Sequence, residues 1–426
     1  MRTRLLHLLA FAAFIIPCPR ARAQACLAAA RPTFVTTPRG DSLEIVSPSL
    51  LPLADGLLMF GSGATIFRAD APPRVEAPLL AVRLRRGTVE MIAPPAPGGR
   101  YLYPRVAQDA RGGIHLLWGE PDTARTLPAA RGGAAESGSE LTQALWAADY
   151  LSGAWSPPRR LGTVPGTMWS AVSPSRPTGR SSVMTAVGYI GPRGRGVVDI
   201  HHADRSRWTV QSVVTDGLTA YTSVAPAGGG LVVGYIAVES GGELRPRNTV
   251  FITDSLPGDS AWSRPIALGG PGDQAATMLA LLPGRAGTVH AVWGQNLDGG
   301  LHAQAIRHAT LDLRGRVQSP PRDLRVSGVV QALHAEPDAR GGAHVVFQGT
   351  GADDRPRAYY AYWSPTRGWS RPASLSGDAY SRAPAIAATT GDSVYITWAA
   401  HIGMTGPFPR FATAVVRAGS GARCVP

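Results

Sequence analysis

The residues of this chain best suited to chemistry fall into two recurring groups. Glu120, Glu239, Gln295, Gln348 and His401 each follow a short run of β-branched, aromatic or alanine residues. Tyr103, Arg105, Trp169, Tyr221, His334, Tyr380 and Arg382 each stand near the start of another such run. Acids, amides, imidazoles, guanidinium groups and aromatics at matched positions suit a binding site for a polar ligand. Signatures of metal or covalent chemistry are missing. There is no HExxH, no CxxC, no Gly-x-Ser-x-Gly elbow, and no Gly-x-Gly-x-x-Gly between a strand and a helix. All 42 basic residues are arginine, which removes the P-loop lysine, the Schiff-base lysine and the Ser–Lys pair. No cofactor and no metal are expected.

Those groups need elements to position them, and the chain supplies a repeat. Trp155-Ser-Pro-Pro, Trp262-Ser-Arg-Pro and Trp369-Ser-Arg-Pro are spaced by 107 and 107 residues, with Trp208 placed 53 after the first and 54 before the second. Such a period belongs to propellers and solenoids. A second phrase keeps step: Ile114-His115-Leu-Leu-Trp118, Val289-His290-Ala-Val-Trp293, Ala343-His344-Val-Val-Phe347 and Val394-Tyr395-Ile-Thr-Trp398. Asp109 and Asp338 each open an Asp-Ala-Arg-Gly-Gly turn, which their side chains are expected to close.

One unit therefore reads as a first strand such as 105–108, a glycine turn, and an aromatic-bearing strand such as 114–118. A variable loop, a third strand such as 144–149 or 358–363, and a Trp-Ser-x-Pro outer strand complete it. Proline suits an outer edge because no ladder N–H is needed there. Units fall at 43–100, 101–166, 167–217, 218–274, 275–326, 327–378 and 379–418. The expected fold is an all-β propeller of four-stranded antiparallel blades, seven in number, with six as the alternative. The last unit shows only three strands, so its outer strand is expected from the strand-like Pro32–Thr37. The loops after second strands and those leading into first strands then open on one face, around a central channel. The repeated tryptophans are expected to pack between blades, and His115, His290 and His344 to be structural.

Composition agrees. With 44% hydrophobic residues, 50 glycines and 37 prolines, the chain suits a large core built from short strands and turns. The net charge of +13 is not read as a nucleic-acid signal, because arginine is spread through every segment and no basic run exceeds two residues. Met1-Arg-Thr-Arg, the apolar Leu5 to Ile16 and Ala21-Arg22-Ala23 read as an export signal over 1–23, leaving one domain over 24–426. The expected location is secreted or periplasmic, with a lipid anchor on Cys26 as the alternative. No stretch is long enough for a membrane span. Cys26 and Cys424 flank the first and last units, and an oxidising compartment is expected to join them in a disulfide.

The turns before the outer strands carry a family resemblance. Ser364-Pro-Thr-Arg-Gly368-Trp369 resembles the Asp box, Ser-x-Asp-x-Gly-x-Thr-Trp, of bacterial sialidase-like (BNR-repeat) propellers, with Thr366 where the box has Asp. Asp149 to Trp155 and Asp254 to Trp262 look like further degenerate copies. The resemblance covers nearly the whole mature chain and implies a blade architecture. Two functions remain open. The first is a monomeric binding or scaffold module for a glycan or protein partner. The second is a glycoside hydrolase of exo-sialidase type, which needs arginines on a substrate carboxylate, a Tyr nucleophile with a Glu base, and a further acid. Arg105, Arg382, Tyr103, Tyr221, Glu120 and Glu239 supply parts of that set. The family's Arg-Ile-Pro is absent; Tyr103-Pro-Arg105-Val is a rearranged echo.

Overall fold

The computed structural model of the protein describes residues 31–68, 73–76, 80–85, 88–96, 102–109, 111–126, 141–151, 153–164, 169–172, 182–190, 196–204, 207–215, 218–239, 247–256, 261–268, 274–297, 302–350, 353–389, 393–405 and 408–419. The leader, Cys26 and Cys424 lie outside the described residues. Apart from a single 3-10 turn at Arg285–Gly287, the described regular structure is all strand.

The sheets are antiparallel meanders that follow one another along the chain. Ser49–Leu53, Gly56–Gly61, Leu80–Arg85 and Thr88–Ile92 make the first, and Leu102–Gln108, Ile114–Thr126, Leu141–Leu151 and Arg159–Val164 the core of the next. Two more run from Trp169–Val172 to Arg207–Thr215 and from Leu218–Ala227 to Ile266–Leu268. An eight-stranded sheet begins at Gln274–Pro283. Within it the 16-residue strand Arg322–Pro337 pairs early with Ala303–Leu311 and late with Ala343–Thr350. The last sheet holds Ser381–Ala388, Ser393–Thr405, Phe408–Gly419 and, from the other end of the chain, Thr33–Phe34. Thr33 lies opposite Val415 and Phe34 opposite Ala414, so the outer strand expected from Pro32–Thr37 is there.

This is a β-propeller arrangement. One strand after another touches in a closed cycle, from Ser49–Leu53 through Leu102–Gln108, Trp169–Val172, Leu218–Ala227, Gln274–Pro283, Arg322–Pro337 and Ser381–Ala388 back to Ser49–Leu53. A smaller sheet of Ser42–Val46, Gly63–Phe67 and Arg74–Glu76 sits on the last sheet, where Ile45 N–H donates to Thr413 Oγ1 at 2.8 Å.

The core lies between sheets. Trp118 and Trp293, both on second strands, are fully buried there. The repeated tryptophans cross the same gaps but are only half-buried. Trp155 meets Phe60 of the preceding sheet edge-on at 5.7 Å, Trp208 meets His115 at 6.2 Å, and Trp369 meets His308 at 6.2 Å. Trp262 packs with Val198, Ile200 and Val213 of the preceding sheet.

Two sequence expectations need correction. The Trp-Ser-x-Pro phrase only begins the outer strand, with Trp155 opposite Tyr150 and Trp369 opposite Trp363; most of the ladder falls beyond its prolines, on Arg159–Val164, Ile266–Leu268 and Ala373–Ser374. Proline has no N–H to give, so the phrase bonds through its serine instead. Ser156, Ser263 and Ser370 each donate a backbone N–H to the third strand at 2.8 Å, and each hydroxyl accepts a third-strand N–H at 3.0 Å. The second correction concerns the paired turns. Asp109 closes its turn as expected, accepting from the N–H groups of Arg111 and Gly113 at 2.9 and 2.8 Å. The Asp338 turn closes through backbone, and the Asp338 carboxylate accepts the Tyr362 hydroxyl instead.

The strand histidines are structural, each with a different partner. His115 lies between Asp149 and Asp109 at 2.8 and 3.2 Å. Its burial opposes the charged form, but the hydrogen bonds to Asp149 and Asp109 outweigh this and raise its pKa. His290 and His308 face each other at 3.1 Å, with His308 stacked on Trp363, and burial lowers both. His344 bonds the Tyr360 hydroxyl at 2.7 Å.

Two predictions follow from these contacts. Replacing Ser263 with Ala should cost about 1 kcal/mol, since the Asp254 N–H loses its acceptor, and the losses at Ser156 and Ser370 should add to it. Urea melts of single and triple variants test this. The His115 charge stabilises the fold below the ordinary 6.5 and is lost as pH rises through the raised folded value. Asp109 works oppositely. Its folded pKa is lowered, because bonds from His115, Gly113 and Arg111 outweigh its burial, so its contribution is lost as pH falls through that value. Melting temperature should therefore drop with rising pH above 6.5 in the native protein and be flatter in His115→Gln; equal slopes would dismiss the buried charge.

Candidate functional site

The inner strands of the ring end in an irregularity that repeats. Ser47, Tyr103, Tyr221, Met278 and Ala383 have φ of 47°, 49°, 46°, 59° and 49°, a left-handed conformation rare for residues with a Cβ. At the last four the strand register slips, so each is a β-bulge at the start of an inner strand. A bulge bends its strand and re-aims the side chain, at a cost of about 1–3 kcal/mol when a non-glycine is left-handed. The three Xaa-Pro pairs Ser47-Pro48, Tyr103-Pro104 and Ala383-Pro384 fall here, where a proline needs no ladder partner.

All five left-handed residues line one cavity of about 490 Å³ at the middle of the ring. Its wall takes residues from the first strands of nearly every sheet; the side chains of Trp169–Val172 lie outside the described residues. Leu50, Met278, Ala280, Leu282 and Ile386 make part of it apolar. The polar part is concentrated in Tyr103, Arg105, Tyr221, Gln331, His334 and Glu336.

Four of the sequence candidates meet here. Arg105 is half-buried, with one guanidinium nitrogen donating to the Pro104 carbonyl at 3.0 Å. Burial lowers its pKa to about 10, against a smaller opposing pull from Tyr103, so it stays a cation at neutral pH. His334 faces the water of the channel, but the enclosing walls and then the Arg105 charge lower its pKa and keep it neutral near pH 7. Burial, and next the neighbouring Tyr103, raises Tyr221, so its hydroxyl keeps its proton. The cluster thus offers one fixed cation, one neutral imidazole and two phenolic hydroxyls on an otherwise largely apolar wall.

The remaining candidates are placed elsewhere. Gln348 braces the wall from behind, its carbonyl accepting from the Ala383 N–H at 2.9 Å and its amide donating to Gln331. Arg382 is held by both oxygens of Glu44 at 2.8 and 2.9 Å and lies 4.3 Å over the Phe411 ring. Tyr380 and His401 join that group, at 5.0 and 5.8 Å from Phe411. Gln295 is buried, accepting from Trp293 Nε1 and donating to the Asn296 carbonyl. Glu120 sits along Ile114–Thr126, away from the channel lining. Trp169 and Glu239 end their strands with side chains outside the described residues. Sequence reasoning missed Gln331, Glu336 and Met278. The repeated Xaa-Pro at the start of inner strands was the signal that could have marked the wall.

No protein-family model and no curated protein matches the sequence. Solved structures do resemble the fold. A polysaccharide lyase, an ulvan lyase bound to -[GlcA(1-4)Rha3S]-, superposes with a TM-score of 0.53 at 10% identity, over 92% of this chain and 96% of that one. A Trypanosoma rangeli sialidase mutant gives 0.44 at 10% identity over 91% and 58%. An α-L-arabinofuranosidase from Fusarium graminearum gives 0.46 at 11% over 76% and 95%. These neighbours are carbohydrate-active propellers, and at such identity the likeness is one of fold.

The bulge conformation makes a prediction. In an ordinary strand, Ala→Gly loses about 0.5–1 kcal/mol, but at φ 49° glycine removes Cβ strain of comparable size. Ala383→Gly should leave the melting temperature unchanged or raised, whereas Ala385→Gly, two residues on, should lower it. Equal losses at both would show that the bulge carries no strain.

Proposed function

We propose that the protein is an exported, seven-bladed, sialidase-like propeller that binds a carboxylate-bearing glycan in its channel, as a monomeric binding module. The observation behind this reading is the meeting of Tyr103, Arg105, Tyr221 and His334 on one wall of a ligand-sized cavity. A guanidinium fork matches a planar carboxylate with two parallel bonds. Tyrosine rings give flat apolar area with a hydroxyl tip, which suits a sugar ring. A glycan fits better than a protein partner, because the polar groups are sunk in a channel instead of spread over a surface.

Seven blades instead of six is supported by the cycle of touching inner strands and by Arg322–Pro337, one long strand that serves two units. The Asp-box reading is supported by Gly153 and Gly368, left-handed at φ 86° and 71° in the tight turns before the outer strands. The domain limits 24–426 and the unit limits are proposed together with that count. Export rests on the sequence of residues 1–23. The Cys26–Cys424 disulfide is supported by the Thr33–Val415 pairing, which brings the two flanks of the chain into one sheet.

A second reading, eliminative cleavage of a uronate chain, is favoured by one feature: His334 is neutral beside the Arg105 cation. Arg105 would draw charge onto the carboxylate while His334 takes the proton from the adjacent carbon. The C–O bond one carbon further breaks, a C=C bond conjugated with the carboxylate forms, and Tyr103 or Tyr221 returns a proton to the leaving oxygen. The exo-sialidase alternative has less support, because Arg382 is committed to Glu44 and Glu120 stands off the lining.

A glucuronate-containing chain such as the one bound by the ulvan lyase is the first probe. Calorimetry should detect binding to it, little binding to a neutral glucan, and a loss of roughly tenfold or more in Arg105→Ala, as for a charged hydrogen bond. Equal affinity for the neutral chain would sink the proposal. Growth of ultraviolet absorbance from a conjugated alkene, abolished in His334→Ala, would select elimination over binding alone.

A further inference from the structure

We propose that the face of the ring opposite the channel mouth docks on an anionic lipid surface. Because every sheet is an antiparallel meander, the turns between first and second strands and between third and fourth strands share that face. Its described acids are buried or, at Asp55 and Asp312, partly exposed and paired with Arg83, Arg85 and Arg316. Asp109, Asp149, Asp254 and Asp338 are all buried, held respectively by turn N–H groups, His115, Arg314 and Tyr362. Its arginines reach the surface: Arg285, Arg314, Arg316, Arg340 and Arg367 are exposed, Arg314 and Arg316 while paired with Asp254 and Asp312.

The patch is continuous over neighbouring turns. Arg285 Nε donates to the Ala339 carbonyl at 3.2 Å, which sets it beside Arg340. Leu313, the residue before Arg314, lies against Gly287, two residues after Arg285. A chain rich in arginine throughout does not by itself produce such a face. The difference lies in the carboxylates. On the mouth side acids stand in the open beside their arginines: the Asp353 side chain is 43% exposed and bonded to Arg357 at 2.9 Å, and Asp378 is fully exposed 3.9 Å from Arg357. On the turn side Asp109, Asp149, Asp254 and Asp338 are buried, and the partly exposed Asp55 and Asp312 are each held by arginine, so among the described residues the exposed arginines there outnumber the exposed acids.

Two observations favour a bilayer over a soluble polyanion. Arg285, Arg314, Arg340 and Arg367 stand on separate tight turns, several points that a plane can meet at once. The chain also joins the ring here. Arg31 leads into Thr33–Phe34 beside Arg417 and the Asp55 turn, so the chain that carries the export-type sequence of residues 1–23 joins the ring on this side. While that sequence is held in a membrane, this face is the one turned toward it.

The exported protein should cosediment with vesicles of phosphatidylcholine and phosphatidylglycerol, not with phosphatidylcholine alone, and added salt should release it. Each arginine at an anionic surface is worth about fivefold in binding, so Arg285→Gln, Arg340→Gln and Arg367→Gln combined should lose on the order of a hundredfold. Arg105→Ala should bind vesicles as the native protein does, which separates this proposal from the channel reading. Equal binding to neutral vesicles, or salt-insensitive binding, would overturn it on the native protein alone. Retained affinity in a correctly melting triple variant would do the same, as would capture by dextran sulfate without any capture by vesicles.

Discussion

Every sheet of the ring has an inner edge with no further strand to pair with, and its N–H groups must still find acceptors. The neighbouring unit supplies them through side chains. Ser49 Oγ accepts from the Val106 N–H at 3.0 Å, Ser223 Oγ from Leu281 at 2.8 Å, and Gln348 from Ala383 at 2.9 Å. Each acceptor belongs to the unit before its donor. The same contacts that satisfy the edge therefore set the distance and rotation between units, and with them the width of the channel. At the seam the device changes in kind: the Glu44–Arg382 pair and Thr413 tie the inserted sheet to the last unit.

This constraint also explains why the site sits where it does. A strand whose outer neighbour is a ladder but whose inner neighbour is water can bulge at low cost to pairing, because only one partner loses register. The bulges at Tyr103, Tyr221, Met278 and Ala383 exploit that freedom, and their strain is held by the packed sheets behind them. Tyr103 and Tyr221 are thus aimed into the channel by backbone that the apolar second strands over-determine. Arg105 follows two residues after one bulge, on a stretch already bent inward.

The periodic part of the fold was legible in the sequence because core packing repeats the same residues at the same spacing. Trp155, Trp262 and Trp369 mark matching gaps between sheets, and Ile114–Trp118 and its copies mark second strands. Tertiary compensation was not legible. Nothing local to Trp-Ser-x-Pro says that its serine takes over the pairing its proline forfeits, and nothing near Asp338 says that Tyr362 claims its carboxylate. Site residues failed to read for the same reason. Arg382 and Arg105 look alike in sequence, near the starts of first strands. Glu44, 338 positions away, holds one of them; the other meets Tyr103 and the Pro104 carbonyl and keeps its charge on the channel wall.

A ring of similar units would by itself give a mouth without direction, and a directional ligand needs an asymmetric one. Two departures from repetition supply it. The sheet of Ser42–Val46, Gly63–Phe67 and Arg74–Glu76 is inserted where the last unit meets the first, its Phe67 packed with Tyr380, His401 and Phe411 of the last unit and its Leu43 and Ile45 with the core they share with Leu57 and Met59. The charged and hydroxyl groups of the wall gather on a few strands, Arg105 and Tyr103 on one, Tyr221 on another, His334 and Glu336 on a third, while Gln274–Pro283 and Ser381–Ala388 present mainly apolar side chains. Around the ring the Tyr103/Arg105 strand and the Tyr221 strand are thus followed by an apolar strand, the His334/Glu336 strand and a second apolar strand, so the wall differs at each step of the circle. The cation of Arg105 therefore has no counterpart at the matching positions of Gln274–Pro283 or Ser381–Ala388, where the wall offers Leu282 and Ile386, and the wall has no rotational symmetry of its own.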